Sequence, residues 1–112
     1  MTISDPVSLY FTAWNAKDPD LLRPALSAGV VFDGPLAHVE GADDYISSLA
    51  GLFGATTDLV IRHRFDDGDD ILTWFDLSVG GSDPMPVANW THLEAGLMSR
   101  VRVTFDPRPM LG

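Results

Sequence analysis

The sequence predicts one α+β domain in which helices cover an antiparallel sheet. Before residue 55, apolar side chains recur at the three- and four-residue spacing of a helix face. After residue 58, alternating apolar segments are separated by the tight-turn pairs Asp67-Gly68 and Ala95-Gly96. A chain of 112 residues can bury one core but not two, so a single domain over residues 1–112 is expected.

Proline placement predicts where the helices begin. Asp5-Pro6 and Asp18-Pro19 each combine an N-cap aspartate with proline at the first helical position. The first helix is expected to end at Asn15-Ala16-Lys17, and a shorter second helix is expected to end near Leu26. A third helix is expected from Gly41-Ala42-Asp43, because an apolar stripe follows: Tyr45, Ile46, Leu49, Leu52 and Phe53.

The strands are predicted from turn residues. A first strand at Val30 to Phe32 is stopped by Gly34-Pro35. A two-residue turn at Asp67-Gly68 would place Trp74 opposite Ile61 and Asp76 opposite Leu59. A second turn at Ala95-Gly96 would place Trp90 opposite Val101 and Ala88 opposite Val103.

These pairings predict which side chains face the helices, since side chains alternate across a strand. One carboxylate, Asp76, falls on the predicted inner face, where an ionisable group is costly unless it is paired or used. Asp76 is therefore the first candidate for chemistry. The predicted inner face comprises Leu59, Ile61, His63, Leu72, Trp74, Asp76, Ala88, Trp90, His92, Val101, Val103 and Phe105.

The opposite face is predicted to be apolar with several arginines. Phe75, Leu77, Val87 and Leu93 would lie there and should not all face water in a monomer. A homodimer through this outer sheet face is therefore expected.

Composition excludes several classes of function. Sixteen acidic residues against seven Lys and Arg give a net charge of −9, so neither nucleic acid nor a membrane is expected as a partner. There is no cysteine, which excludes disulfides and thiolate chemistry. The N-terminus lacks the basic and apolar regions of a leader, so a cytoplasmic location is expected.

No cofactor and no metal site are predicted. His63, His92 and Asp76 share the predicted inner face, but Asp76 is four residues along its strand from the row of the histidines. That spacing corresponds to about 13 Å, whereas a metal needs ligand bonds of about 2 Å.

Four segments resemble the SnoaL-like branch of the NTF2-like superfamily: Tyr10 to Asp18, Phe32 to Pro35, Gly41 to Ile46, and the closing strand from Gly96 to Pro107. The resemblance covers nearly the whole chain. It implies an NTF2-like cone, with three N-terminal helices packed on a curved, mostly antiparallel sheet that encloses a pocket, commonly in a dimer. The fold hosts isomerases, cyclases, epoxide hydrolases, dehydratases and binders without activity.

The resemblance to ketosteroid isomerases implies a role for Tyr10, which matches the tyrosine that donates a hydrogen bond to the oxyanion. The catalytic aspartate of those enzymes directly precedes proline, whereas here Gly34 precedes Pro35 and Asp33 lies one residue earlier. The position of their second oxyanion-binding acid is occupied here by Ala88, so that acid is absent. A full copy of that mechanism is not expected.

The resemblance to limonene epoxide hydrolases is also incomplete. Those enzymes use an aspartate, arginine and aspartate set, of which one aspartate matches Asp76. Trp74 and Val103 occupy the other two positions.

The function predicted is proton transfer, isomerase- or cyclase-like, on a small hydrophobic carbonyl or polycyclic substrate. The alternative is a ligand-binding or dimerisation module without catalysis, in which Tyr10 and Trp14 pack the core and Asp33 caps a turn. Catalytic candidates are Asp76, Tyr10, Asp33 and His92. The predicted substrate-binding residues are Trp14, Phe53, His63, Trp74, Ala88, Trp90, Val101, Val103 and Phe105.

Overall fold

A six-stranded mixed sheet, covered on one face by helices, accounts for most of the structure. The computed structural model describes residues 5–108, so both ends of the predicted domain over residues 1–112 lie outside the described residues. In chain order the elements are α1 (Pro6–Asn15), a 3-10 helix (Pro19–Ala25), β1 (Leu26–Asp33), β2 (His38–Glu40), α2 (Ala42–Ala55), β3 (Thr56–Asp67), β4 (Asp70–Val79), β5 (Met85–Glu94) and β6 (Leu97–Thr104).

The helix starts agree with the proline and cap signals. The Asp5 side chain accepts a hydrogen bond from the Ser8 backbone N–H at 3.0 Å, which satisfies an orphan donor of α1. The second segment is a 3-10 helix, because Pro24 lies inside it and cannot donate to an α-helical ladder. The predicted third helix is confirmed as α2, which follows the predicted strand β1 and the unpredicted short strand β2. The three helices are therefore not all N-terminal to the sheet.

The strand order is β2-β1-β6-β5-β4-β3. Four neighbouring pairs are antiparallel, but β1 runs parallel to β6, so the sheet is mixed rather than wholly antiparallel. Sequence analysis missed β2 because three residues are too few for a recognisable alternation.

The turn between β3 and β4 lies one residue later than predicted. Gly68 and Asp69 form the turn, and Asp67 pairs with Asp70. Gly68 adopts φ 62° while Asp69 does not take a positive φ. This pattern is typical of a type II′ turn, which needs glycine at its first central position, rather than of the type I′ turn that Asp-Gly favours.

Two bulges shift the pairing further. An extra residue on β3, Arg62, lies between the pairs formed by Ile61 and His63. An extra residue on β6, Ser99, follows the Ala95-Gly96 turn, which does lie where the sequence predicts it. As a result, Trp90 lies opposite Arg102, not Val101.

The predicted faces of β4 and β5 are therefore wrong. Phe75, Leu77 and Val87, expected to face outward, are buried in the core, and Leu93 packs against it. Trp74 and Leu72, expected to face inward, are 44% and 40% exposed. A register slip of one residue moves every side chain of a strand to the other face.

Aromatic side chains from three elements form the centre of the core. The ring of Trp14 in α1 lies 5.3 Å from that of Phe53 in α2 and 5.5 Å from that of Phe75 in β4. The indole Nε1 of Trp14 donates to Thr56 Oγ1 at 2.8 Å, and Thr56 Oγ1 donates to the Leu52 carbonyl at 2.8 Å. The end of α1 is thereby fixed to the end of α2. No helix among residues 5–108 is long and apolar enough to cross a membrane.

The orientation of β4 predicts unequal losses of stability for two neighbouring truncations. Phe75→Ala should lower the free energy of unfolding by about 3 to 5 kcal/mol, because it leaves a cavity under α1. Trp74→Ala should cost less than about 1 kcal/mol, because that ring is half exposed. Urea unfolding in dilute solution measures both values, and a larger loss for Trp74→Ala would contradict the observed register.

Candidate functional site

A cavity of about 200 Å³ lies between α1, α2 and the inner face of the sheet. Tyr10 and Trp14 of α1 close one side, and Leu49 and Leu52 of α2 close another. The sheet contributes apolar side chains from five strands: Phe32, Val39, Phe75, Leu77, Met85, Val87 and Val103. The loop between β1 and β2, residues 34–37, completes the wall.

Few polar side chains reach this cavity. Tyr10, Tyr45, Ser48 and Asn89 line it. The Tyr45 hydroxyl is buried and makes no hydrogen bond within the described part of the chain. The Asn89 side chain uses its Oδ1 to accept from Thr91 Oγ1 at 3.0 Å. The cavity therefore offers a small number of hydrogen-bonding groups in an apolar wall.

The two tyrosines influence each other. Burial raises the pKa of Tyr10 to about 12, and its interaction with the Tyr45 hydroxyl offsets part of that rise. Burial, and then the proximity of Tyr10, raise the pKa of Tyr45 well above its ordinary value. The hydroxyls are close enough to interact, although Tyr45 Oη forms no hydrogen bond of normal geometry. Both remain neutral donors at neutral pH.

Six of the predicted site residues are on the helix-covered side of the sheet. Tyr10, Trp14, Val103 and Phe105 line the cavity. Phe53 and Val101 are fully buried in the core behind it.

Asp76 is on the outer face, where its register partners are Val60 and Pro86. Its carboxylate accepts a hydrogen bond from Arg62 Nε at 2.8 Å. The predicted position inside the pocket is wrong, because the extra residue at Arg62 shifts the pairing of β3 and β4 by one and reverses the face of β4 relative to Leu59 and Ile61. The ion pair with Arg62 supplies a structural reason for the carboxylate.

The other four aromatic and histidine candidates on these strands also lie outside the cavity. His63 stacks on Phe65 with ring centroids 6.1 Å apart. The His92 ring and the Trp90 indole share Asp70 Oδ1 as a hydrogen-bond partner, at 2.8 and 3.1 Å. Trp74 pairs across the strands with Ala88, another predicted binding residue on the outer face.

Asp33 is at the end of β1 beside a second, open groove of about 620 Å³. Its Oδ1 bonds to His38 Nδ1 across the β1–β2 hairpin. This hydrogen bond lowers the pKa of Asp33 and raises the pKa of His38. Gly34, Pro35, Val103 and Phe105 line both the cavity and this groove. Asp33 therefore lies beside the cavity rather than in it.

Sequence reasoning missed Asn89, Tyr45 and Ser48. The predicted face of β5 puts Asn89 outside and its neighbour Ala88 inside, which is the reverse of the observed orientation. Tyr45 was identified only as part of the apolar stripe of α2. No residue type signals Asn89, because its face depends on the bulges at Arg62 and Ser99.

Residues 7–101 match the SnoaL-like domain family. The chain belongs to this family. The sequence of the SnoaL-like domain matches no functionally curated protein.

Solved structures with the same fold cover almost all of the SnoaL-like domain. An NTF2-like protein of unknown function from Cytophaga hutchinsonii is 25% identical, with a TM-score of 0.87 over 100% of this chain and 97% of the other. A putative SnoaL-like polyketide cyclase from Jannaschia sp. is 18% identical, with a TM-score of 0.81 over 95% and 86%. A putative ketosteroid isomerase from Kribbella flavida is 18% identical, with a TM-score of 0.76 over 90% and 75%. The fold is thus an α+β NTF2-like fold.

The buried tyrosines predict how stability depends on pH. A raised folded pKa means that the folded protein keeps a proton which the unfolded chain loses above about pH 10. The free energy of unfolding should therefore fall as pH rises from the ordinary tyrosine pKa towards the value of about 12 for Tyr10. Tyr10→Phe should make this decline shallower in urea unfolding.

Tyrosinate absorbance provides an independent measurement, because the chain has two tyrosines. The folded protein should show no tyrosinate step near pH 10. In Tyr45→Phe, the one remaining tyrosinate step should be that of Tyr10. A normal tyrosinate step in the folded wild type would contradict the burial of both hydroxyls.

Proposed function

We propose that this SnoaL-like domain binds a small, mainly apolar molecule that carries one hydrogen-bonding oxygen. The observation that carries the proposal is the composition of the cavity wall, which is apolar except for four side chains. Ligand sites commonly combine an apolar wall with a few polar groups that fix orientation.

The size of the cavity limits the ligand. Its volume is about 200 Å³, whereas sites for drug-sized ligands measure roughly 300 to 1,000 Å³. An engineered apolar cavity of about 150 Å³ binds benzene. The volume therefore favours a ligand with one ring or a short chain, and it disfavours the polycyclic substrate that the family resemblance implies.

The polar groups favour an oxygen on that ligand. A buried hydroxyl without a partner costs about 1 to 3 kcal/mol relative to a satisfied one. A carbonyl or hydroxyl of the ligand would give the Tyr45 hydroxyl the partner that the described part of the chain does not provide, and the Tyr10 side chain lines the same cavity. Asn89 could bind the same oxygen through its amide.

Proton transfer is the second candidate function. Among the described residues, no carboxylate or imidazole lines the cavity. The carboxylate of Asp33 lines the adjoining groove, and the hydrogen bond from His38 lowers its pKa and favours the ionised form of a base. Catalysis through Asp33 would need the ligand to extend past Gly34 and Pro35, which line both spaces.

The binding proposal predicts saturable binding of cyclohexanone to one site per chain, measured by titration calorimetry. Val87→Phe should weaken this binding at least tenfold, because the new ring fills the cavity. Cyclohexane should bind about tenfold more weakly than cyclohexanone, a difference of about 1.4 kcal/mol that corresponds to one hydrogen bond.

A matched control distinguishes filling of the cavity from a general loss of folded structure. Val60→Phe adds the same ring on the outer face and should leave cyclohexanone binding unchanged. Thermal unfolding shows whether either variant still folds. If wild-type protein binds neither compound, the proposal fails. Loss of α-hydrogens of bound cyclohexanone to D₂O, abolished in Asp33→Asn, would favour the proton-transfer function.

We also propose that the outer face mediates a homodimer. The outer patch consists of Val60, Phe65, Leu72 and Trp74, with Phe65 62% exposed. Charges of both signs lie on the same face, including Arg62, Asp70 and Asp76. A twofold axis could bring each sign opposite the other, so a second copy of this chain is the partner that suits the patch.

The dimer proposal predicts that wild-type protein and an outer-patch variant sediment differently in analytical ultracentrifugation. Wild-type protein should sediment as a dimer at micromolar concentration, and Phe65→Asp should sediment as a monomer because it places a charge in the outer patch. Leu21→Asp changes an equally apolar, exposed residue on the 3-10 helix and should remain dimeric. A monomeric wild type would overturn the proposal.

A further inference from the structure

Two arginines of β6 have no carboxylate partner within the described range 5–108. Arg23, Arg62, Arg64 and Arg108 each contact at least one carboxylate within 4.0 Å, but Arg100 and Arg102 contact none. This is unexpected in a chain that has sixteen acidic residues and seven Lys and Arg. Surface arginines in such an excess of carboxylates usually find a partner when geometry allows.

Arg102 differs from Arg100 in its surroundings. Arg102 lines the open groove of about 620 Å³, together with Leu72, Ala88 and Trp90. Arg100 lies two residues earlier on the same face of β6 and does not line the groove. The groove therefore contains one guanidinium beside an apolar and aromatic surface.

The groove and the cavity adjoin each other. Gly34, Pro35, Val103 and Phe105 line both. In the same loop, Leu36 lines the cavity although it is 49% exposed, so the wall at this point is one residue thick. A ligand that enters beneath this loop would have its inner end in the cavity and its outer end in the groove.

We propose that the ligand is a small amphipathic carboxylate, whose apolar end occupies the cavity and whose carboxylate binds Arg102 in the groove. This inference rests on the binding function proposed above and names its substrate class. Guanidinium matches carboxylate in a planar, bidentate geometry, which an uncharged ligand end cannot use. Leu72 and Trp90 would cover the segment between the two ends.

Asp33, the carboxylate of the groove, hydrogen-bonds to His38 and not to Arg102, although the charge of Arg102 also helps to lower the pKa of Asp33. Asp33 is the register partner of Arg102 on the neighbouring strand, yet its Oδ1 bonds to His38. Glu40 bonds to the other ring nitrogen of His38 at 3.1 Å. His38 thus engages the nearby acids and leaves the guanidinium available. More distant acidic residues repel an anion weakly, because salt screens charges beyond about 8 Å at physiological ionic strength.

Calorimetric titration with 3-phenylpropionate and its neutral amide, 3-phenylpropanamide, tests the proposal on the full chain. The two probes share the ring and the chain length. The acid should bind at least tenfold more tightly than the amide. Arg102→Gln should remove this advantage and change the affinity for the amide less than twofold. Arg102→Lys keeps the positive charge but not the planar, bidentate guanidinium, so it should retain part of the preference for the acid over the amide.

Arg100→Gln is the matched control, because it removes an identical charge from the same strand and face outside the groove. It should preserve the preference for the acid. Equal affinity of wild-type protein for acid and amide overturns the carboxylate proposal alone, since binding of the amide still supports the cavity function. Equal losses in Arg100→Gln and Arg102→Gln also overturn it. Binding of neither probe, together with no binding of cyclohexanone, overturns both proposals.

Discussion

The bulge at Arg62 decides which side chains of the sheet meet the helices. Gly68, with φ at 62°, forms the turn that pairs Asp67 with Asp70, and the extra residue at Arg62 then moves the pairing by one, so that Ile61 pairs with Phe75. The pairing of these strands then gives Thr73, Phe75 and Leu77 to the inner face and leaves Leu72, Trp74 and Asp76 outside. β5 follows the register of β4, so the same bulge places Val87 and Asn89 inside. Without the extra residue, Ile61 would pair with Asp76 and Phe75 would lie on the outer face.

The helices are held over this face by contacts at their C-terminal ends. Lys17 Nζ donates to the carbonyls of Phe53 and Thr56 at 3.0 and 2.6 Å, where the helix dipole of α2 is negative. Trp14 makes the parallel connection through Thr56. Both contacts lie at one end of the helix pair. The loop at residues 34–37 and the Tyr45 side chain contribute to the wall elsewhere, and the space between them remains as the cavity.

Local signals in the sequence predict the family and most of the elements, although not β2. Asp5-Pro6, Gly41 and Ala95-Gly96 act through the backbone of their immediate neighbours, so their effects could be predicted. The site could not be predicted, because it depends on register. The bulges at Arg62 and Ser99 leave no distinctive residue type, and each changes the face of every residue beyond it. Tyr10, Trp14, Val103 and Phe105 are nevertheless among the predicted site residues, whereas the position predicted for Asp76 leaves out the bulge at Arg62.

Two buried hydroxyls have no hydrogen-bond partner in the described part of the chain, Tyr45 Oη and Thr73 Oγ1. Each costs stability, and phenylalanine or valine of nearly the same shape would remove the cost. Tyr45 lines the cavity, and Thr73 is the cross-strand neighbour of Asn89, which also lines it. The unsatisfied groups thus lie at or beside the wall of the cavity, where a small molecule or water could reach Tyr45. A core kept only for packing gains nothing from this arrangement, whereas a ligand oxygen in the cavity would offset its cost.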